Sequence, residues 1–225
     1  EAAGAGHLAI LQWARSQNCP WDSRTCRNAA KVGHLGILKW AQDHGCPWDG
    51  DTCSEAARSG HLDVLQWARS ENCPWGKTCS NAAWGGHLAI LQWARAHGCS
   101  WTRQTCELAA GGGHLTVLQW ARANGARWTT TTTFLAALGG HVELLQWAMA
   151  QGCPWDTDAS FAADYAHFHI LKWMQASGCC EIDPDICLTA ATEDTWACFN
   201  GHEPTASAGV GMYVAGQPVR AKLRS

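Results

Sequence analysis

Charged residues are scarce in this chain: they make up 16% of its 225 residues, and the formal net charge is −3. Proteins that bind nucleic acid usually carry clustered Lys and Arg, so this composition predicts no nucleic-acid partner. No apolar run approaches the roughly 20 residues that span a bilayer, so no membrane partner is expected. Since no signal peptide is visible either, we expect an intracellular, cytoplasmic protein.

The usual sequence signatures of catalysis and of bound cofactors are also lacking. No CxxC pair with the spacing of a zinc site occurs. No Ser/His/Asp or Cys/His arrangement and no pair of carboxylates stands out from the general pattern of the chain. The stretch Gly209-Val210-Gly211 follows no strand and opens no helix, so it does not indicate a phosphate loop. The sequence therefore predicts a protein that is not an enzyme and that holds no metal ion or cofactor.

What the sequence contains in abundance is repetition. The phrase Gly-His-Leu-Gly-Ile-Leu-Lys-Trp-Ala begins at Gly33 and recurs every 26 or 27 residues. Numbered as units 1 to 7, the phrases begin at Gly6, Gly33, Gly60, Gly86, Gly113, Gly140 and, in altered form, Ala166. A period of this size indicates a solenoid, in which each unit buries its apolar face only against its neighbours.

The residue pattern of one unit predicts two helices joined by a tight turn. In unit 2, Cys26, Ala29 and Ala30 stand at i, i+3 and i+4, which places three small residues on one face of a first helix, helix A. Gly33 is expected to end this helix. A second helix, helix B, follows with an apolar arc wide enough to be buried on more than one side. Gly45 then supplies a helix stop.

The unit resembles the ankyrin repeat. The segment from Ala29 to Leu35, which reads Ala-Ala-Lys-Val-Gly-His-Leu, is similar to that family's A-A-x-x-G-H-L, and the rest of helix B with Gly45 falls in step. Ankyrin repeats are about 33 residues long. About six residues are missing here, between the stop of helix B and the next helix A, where the family carries its β-hairpin finger.

This resemblance implies an all-α solenoid of stacked antiparallel helix pairs with truncated hairpin loops. We expect the array to occupy residues 1–191, with a truncated first unit and a degenerate last unit. Residues 192–225 are expected to form an irregular or disordered C-terminal segment.

Histidine and cysteine recur with the period, and both are interpreted as structural. Stacked helices lie about 8–10 Å apart, whereas the ligands of one zinc ion each lie about 2 Å from it. The histidines are therefore expected to tie the turns at the start of helix B by hydrogen bonds. They are His7, His34, His61, His87, His114, His141 and His167. The cysteines are expected to be small buried hydrophobic residues in a reducing compartment, in preference to a disulfide framework.

Tryptophan is unusually frequent, with 15 residues, and all but Trp84 and Trp196 fall in two rows. The row on helix B comprises Trp13, Trp40, Trp67, Trp93, Trp120, Trp147 and Trp173. The row in the loops comprises Trp21, Trp48, Trp75, Trp101, Trp128 and Trp155. We interpret the helical row as core. The loop row has two interpretations. As a plug, it packs into the edge left bare by the missing finger; as a rail, it forms an exposed row of aromatic side chains for a ligand. The plug is the favoured interpretation.

Helix A carries two outward positions, one before and one after its Ala-Ala pair. Units 2 and 3 fill them with the polar residues Asn28, Lys31, Glu55 and Arg58. Later units place the apolar residues Trp84, Leu108, Leu135, Leu138 and Phe161 there, together with Asn81, Gly111 and Asp164. In ankyrin-like proteins these positions line the concave groove that partners use, and apolar residues repeated on an exposed face indicate a partner. The alternatives are that they cover the C-terminal segment, or that these positions have drifted in sequence with no partner behind them.

The sequence thus predicts a monomeric, non-catalytic scaffold that binds a protein partner through the helix-A face. The alternative function is a regulatory or substrate-recruiting segment of a larger enzyme, or of a ubiquitin-ligase adaptor.

Overall fold

The computed structural model describes residues 1–155 and 168–177, and throughout these residues the regular secondary structure is helical, with no strand. The helices are α1 Leu8–Ser16, α2 Ser23–Val32, α3 Leu35–Asp43, α4 Gly50–Ser59, α5 Leu62–Ser70, α6 Thr78–Trp84, α7 Leu88–Ala96, α8 Arg103–Gly111, α9 Leu115–Ala123, α10 Thr130–Leu138, α11 Val142–Ala150 and α12 Phe168–Ser177. The predicted all-α fold is confirmed. The expected boundary between residues 191 and 192 lies outside the described residues.

Most helices A begin at a side-chain cap that the end of the preceding loop supplies. Asp22 and Asp49 each accept a backbone N–H two residues ahead at 3.0 Å, and Thr102 does the same at 3.2 Å. Thr129 forms a capping box at the start of α10. Such caps satisfy N–H groups that have no partner within the helix, and each stabilises its helix by about 1 kcal/mol. The Asp or Thr after Trp21, Trp48, Trp101 and Trp128 is therefore a start signal for helix A.

Both predicted glycine stops are present in unit 2. Gly33 ends α2 in the left-handed conformation, and the N–H of His34 donates to the carbonyl of Ala29 at 2.9 Å. Gly45 follows α3, and there the N–H of Cys46 donates to the carbonyl of Ala41 at the same distance. Each bond satisfies a terminal carbonyl of its helix, so the helix pair is closed by local hydrogen bonds at both ends.

The core forms a continuous strip between the two helix layers. Helices α2, α4, α6, α8 and α10 pack successively on one another, and each packs on the helix B of its own unit. The Ala-Ala pairs of helix A are fully buried, so the close approach between these helices depends on small side chains. Helix B contributes one leucine per unit with 0% exposure, at Leu38, Leu65, Leu91, Leu118 and Leu145. Each such burial contributes about 1.5–3 kcal/mol.

Unit 4 follows unit 3 after 26 residues instead of 27, because the loop after Trp75 is one residue shorter. The shorter loop brings Gly76 against the backbone of Gly50. Gly76 has φ +55°, and a Cβ there would lie 2.4 Å from the carbonyl oxygen of Gly50. The hydroxyl of Ser54 donates to Gly50 and accepts the N–H of Lys77 at 2.8 Å. The preceding unit therefore supplies the polar partner that a capping Asp supplies elsewhere.

Candidate functional site

The candidate site is the outer face of helices α6, α8 and α10. Trp84 ends α6, Leu108 lies in α8, and Leu135 and Leu138 lie in α10. All four residues are half-buried. The interpretation of these positions as simply outward therefore needs correction: each residue both packs within the array and presents apolar surface. Phe161, the fifth predicted residue, lies outside the described residues.

Trp84 and Leu135 approach one another across Gly111. A Cβ at Gly111 would lie 3.2 Å from Cζ3 of Trp84 and 3.4 Å from Cβ of Leu135. The indole of Trp84 therefore extends over the glycine towards α10 and fills the space that a side chain would take. As a result, apolar side chains from units 4 and 6 bracket the bare backbone of unit 5.

The helix-A face is polar in units 2 and 3, and the last polar residue before Trp84 along the stack is Arg58. The guanidinium of Arg58 lies 5.8 Å from the centroid of the Trp84 ring, within the range of a weak cation–π interaction. Lys31 and Arg58 are exposed, whereas Asn28 and Glu55 are half-buried. The face thus changes from mixed charges in units 2 and 3 to apolar side chains in units 4 to 6.

The histidines at the start of helix B hydrogen-bond to backbone carbonyls at the ends of these A helices. Nε2 of His114 lies 2.9 Å from the carbonyl oxygen of Trp84, and Nε2 of His141 lies 3.2 Å from that of Gly111. A carbonyl only accepts, so Nε2 carries the proton and donates. The expectation that each histidine ties its own turn is therefore wrong for these residues. The last carbonyls of a helix lack an intrahelical donor, and the histidine of the next unit supplies one.

The last described unit shows a variation of this bond. His167, the predicted member of the row, lies outside the described residues. Nε2 of His169 instead lies 2.8 Å from the carbonyl oxygen of Gly140. No local sequence pattern marks these bonds, which join residues 29 or 30 positions apart.

The helix-B tryptophans pack against the core rather than within it, which corrects the interpretation of that row. Trp13 is 65% exposed, and the other described members are half-buried. The reason is that Leu, Ile, Val and Ala already fill the strip between the helix layers. The indoles lie at the edge of this strip, where they meet the loops.

The loop tryptophans are packed between units, which agrees with the plug interpretation. The ring centroids of Trp101 and Trp120, a helix-B residue of the next unit, lie 5.6 Å apart. The Arg95 guanidinium lies 4.2 Å from the Trp101 centroid and donates to the carbonyl of Cys99 at 2.8 Å. Each described loop tryptophan pairs in this way with the following helix-B tryptophan. The truncated loop is thus fixed by edge-to-face and tilted contacts between indole rings.

The nine cysteines of the described ranges are all free thiols, and eight are buried as expected. Cys19 is exposed, which corrects the expectation for that residue. Residues before α1 form only turns, so Cys19 lacks the helix A against which Cys46 packs in unit 2. Within residues 1–155 and 168–177, no group of three or more His, Cys, Asp or Glu side chains could hold a metal ion. In the same part of the chain, every helix is too short or too polar to cross a membrane.

We expect the purified protein to bind no stoichiometric zinc and to keep its helical circular dichroism in chelator and reductant. The reason is that the periodic histidines and cysteines are engaged in packing and backbone hydrogen bonds. Elemental analysis by mass spectrometry measures the metal content. One or more zinc ions per chain, lost together with helicity on chelation, would contradict this expectation.

Comparison with known proteins identifies the fold. No protein-family model and no curated protein sequence matches this chain. Among solved structures, the chain is similar to the ankyrin repeat domain of human ASB11, with a TM-score of 0.57 and 14% sequence identity. The match covers 81% of this chain and 99% of that domain. The chain therefore has the fold of an ankyrin-repeat solenoid, built here from shorter units whose loops lack the strands of a finger in the described part.

Proposed function

We propose that this ankyrin-like solenoid is a non-catalytic scaffold that binds a protein partner through the helix-A face of units 4 to 6. The observation that carries the proposal is the apolar surface of Trp84, Leu108, Leu135 and Leu138, which are partly exposed on three successive helices. The buried strip is already filled by Ala, Cys and Leu, so core packing does not require large apolar side chains here. Apolar surface repeated on one face is typical of an interaction site.

The packing of these side chains favours binding. Trp84 rests on Gly111, and the histidine bonds hold the carbonyls of both residues. A side chain that is already ordered loses little conformational entropy when a partner covers it. Trp is also among the residues that most often dominate binding energy in interfaces. The face is therefore suited to a partner that offers aliphatic or aromatic side chains.

Phe161 belongs to the same proposal, since it stands in unit 7 at the position that Leu108 and Leu135 occupy in units 5 and 6. We also propose that the protein is monomeric and acts inside the cell, in the cytoplasm. The large number of free thiols supports this location, because such thiols persist in reducing compartments.

Trp84→Ala and Leu135→Ala are expected to weaken partner binding by at least tenfold each, because truncating a well-packed anchor commonly costs about 2 kcal/mol. Partners are first captured on the wild-type chain and identified by quantitative mass spectrometry. Their affinities for the purified variants are then measured by calorimetry. Gln92→Ala is the matched control, since Gln92 is exposed on helix B of unit 4 and faces away from the groove.

Melting curves separate a binding effect from unfolding. A partner whose affinity falls in Trp84→Ala and Leu135→Ala, while both variants melt well above the assay temperature, supports the proposed face. A partner that is lost only with Gln92→Ala, or that binds all three variants like the wild type, would refute it.

A further inference from the structure

Charge is unevenly distributed along the array. Residues 74–155, which include α6 to α11, contain five Lys or Arg, two Glu and no Asp, and thus have a net charge of +3. The whole chain, by contrast, has a net charge of −3. Arg95 and Arg122 of this stretch pack on loop tryptophans, with the guanidinium carbon 4.2 Å and 3.9 Å from the ring centroid. Two of the five cations are therefore engaged in packing, and three remain.

The three remaining cations lie at the starts of the A helices, along what we call the basic edge. Lys77 is the N-cap residue of α6, Arg103 is the first residue of α8, and Arg127 lies three residues before the start of α10. All three are exposed, and none forms an ion pair within the part of the chain that the structure describes. Because the A helices of a repeat run in the same direction, their starts lie at the same edge.

The cations at the equivalent edge of the polar half are neutralised by carboxylates of the chain itself. Nη2 of Arg24 lies 2.8 Å from Oδ2 of Asp22, and Nη2 of Arg27 lies 2.6 Å from Oδ2 of Asp51. Among the described residues, every ion pair falls within residues 22–51. The basic edge has no such carboxylate, so its charge is available to a partner.

The basic edge and the apolar side chains of the candidate face belong to one surface. Lys77, Asn81 and Trp84 stand at i, i+4 and i+7, which places them on the same face of α6. At a rise of 1.5 Å per residue, Lys77 and Trp84 are about 10 Å apart along the helix axis. A helix with its side chains is about 10–12 Å wide. One partner helix laid across α6, α8 and α10 would therefore cover the apolar side chains and reach the basic edge with its flank.

The spacing of the A helices favours a helical partner. Packed helices lie about 8–10 Å apart, so the apolar positions on α6, α8 and α10 repeat at that interval. On a partner helix, residues i and i+7 share a face and lie about 10.5 Å apart. Alternate residues of an extended strand also share a face, but they are only about 6.6 Å apart. An amphipathic helix of about 15 residues would thus present one anchor to each of the three units.

We propose that the partner of the helix-A face is an acidic amphipathic helix, whose apolar side covers Trp84, Leu108 and Leu135 and whose Asp and Glu residues meet the basic edge. This inference rests on the proposed function and specifies the chemistry of the partner. Exposed ion pairs contribute little affinity, but charges at the rim of an interface set the association rate and disfavour partners of like charge. The apolar side chains supply the affinity, and the basic edge selects an acidic partner.

A nucleic acid fits this surface less well. Its phosphates would engage the three cations of the basic edge, but the aliphatic side chains of Leu108, Leu135 and Leu138 offer no hydrogen-bond donor to a phosphate or a base edge. An acidic helix uses both parts of the surface, whereas a phosphate backbone uses only the basic edge.

The test selects binders from a displayed library of random peptides about 16 residues long, with the full chain as the target. Enriched peptides should carry Leu, Ile, Phe or Trp at i, i+3 or i+4, and i+7, with an excess of Asp and Glu on one flank of that face. Proline in the middle of an enriched peptide should weaken binding at least tenfold because it breaks the helix, whereas proline in the first turn should be tolerated.

Charge reversal measures the contribution of the basic edge. Lys77→Glu and Arg103→Glu should each weaken the binding of an enriched peptide by about two- to fivefold, mainly through slower association. The difference from the wild type should shrink as salt is added. Lys39→Glu is the matched control, because Lys39 is exposed on helix B and the change in charge is the same. Fluorescence anisotropy of the labelled peptide measures affinity, and stopped-flow mixing measures the association rate.

The outcomes separate this inference from the proposed function. Peptides that require Trp84 and Leu135 but carry no acidic excess, or that bind the Lys77→Glu and Arg103→Glu chains like the wild type, would overturn the acidic partner and leave the helix-A face in place. Peptides that bind Trp84→Ala and Leu135→Ala like the wild type, or a selection that enriches no peptide, would refute the face as well. A random single-stranded oligonucleotide that binds more tightly than every enriched peptide, and that is lost on charge reversal, would assign the basic edge to nucleic acid and overturn the proposal.

Discussion

Replacing Leu118 with alanine should lower the free energy of unfolding by about 2–5 kcal/mol. Leu118 lies on α9 with 0% exposure, in the strip between the two helix layers. The substitution removes buried methyl groups and leaves a cavity that the fixed helix spacing cannot close. Chemical denaturation followed by circular dichroism measures the loss.

Leu135→Ala is the matched comparison, because it removes the same atoms from a half-buried position on the candidate face. Part of the Leu135 side chain stays in contact with solvent, so the expected loss is about 1–2 kcal/mol, smaller than for Leu118→Ala. If Leu135→Ala destabilised the chain as much as Leu118→Ala, Leu135 would be a core residue and the candidate face would lose its main aliphatic anchor. Equal stability of Leu118→Ala and wild type would contradict the packing of the strip.

Gly86→Ala should cost about 2–3 kcal/mol, which is more than the strain of the backbone alone. Gly86 has φ +75°, where a side chain costs about 1–2 kcal/mol. A Cβ there would also lie 2.5 Å from Cε1 and Nδ1 of His114. The ring must move, and its hydrogen bond to the Trp84 carbonyl is then lost, which costs about 1 kcal/mol more.

Gly98→Ala isolates the backbone contribution. Gly98 has φ +89°, and a Cβ there meets nothing within 4 Å, so only the strain of about 1–2 kcal/mol is expected. In a His114→Ala background the extra cost of Gly86→Ala should disappear, because the colliding ring is gone. A double-mutant cycle by thermal or urea unfolding measures this coupling. Independent, additive effects would show that the histidine does not join units 4 and 5.

The local features of the fold could be predicted from the sequence because each depends on a few neighbouring residues. The small face of Cys26, Ala29 and Ala30 and the stop at Gly45 are properties of single helices, and the structure confirms them. The burial of Leu118 follows in the same way from its place in the apolar arc.

Contacts between units could not be predicted, because they depend on the offset between successive helix pairs. Nothing within unit 5 indicates that His114 reaches the carbonyl of Trp84. The partial burial of the helix-B tryptophans from Trp40 onward likewise depends on how the loops pack across units.

Hydroxyl-radical footprinting of the chain, free and bound to a captured partner, is the most direct test of the proposed binding face. The half-exposed side chains of Trp84, Leu108, Leu135 and Leu138 should be labelled in the free chain and protected in the complex. Labelling of Trp67 and Trp93, which are half-exposed on helix B, should not change. Protection confined to the helix-B and loop tryptophans, with the helix-A residues labelled as in the free chain, would contradict the account.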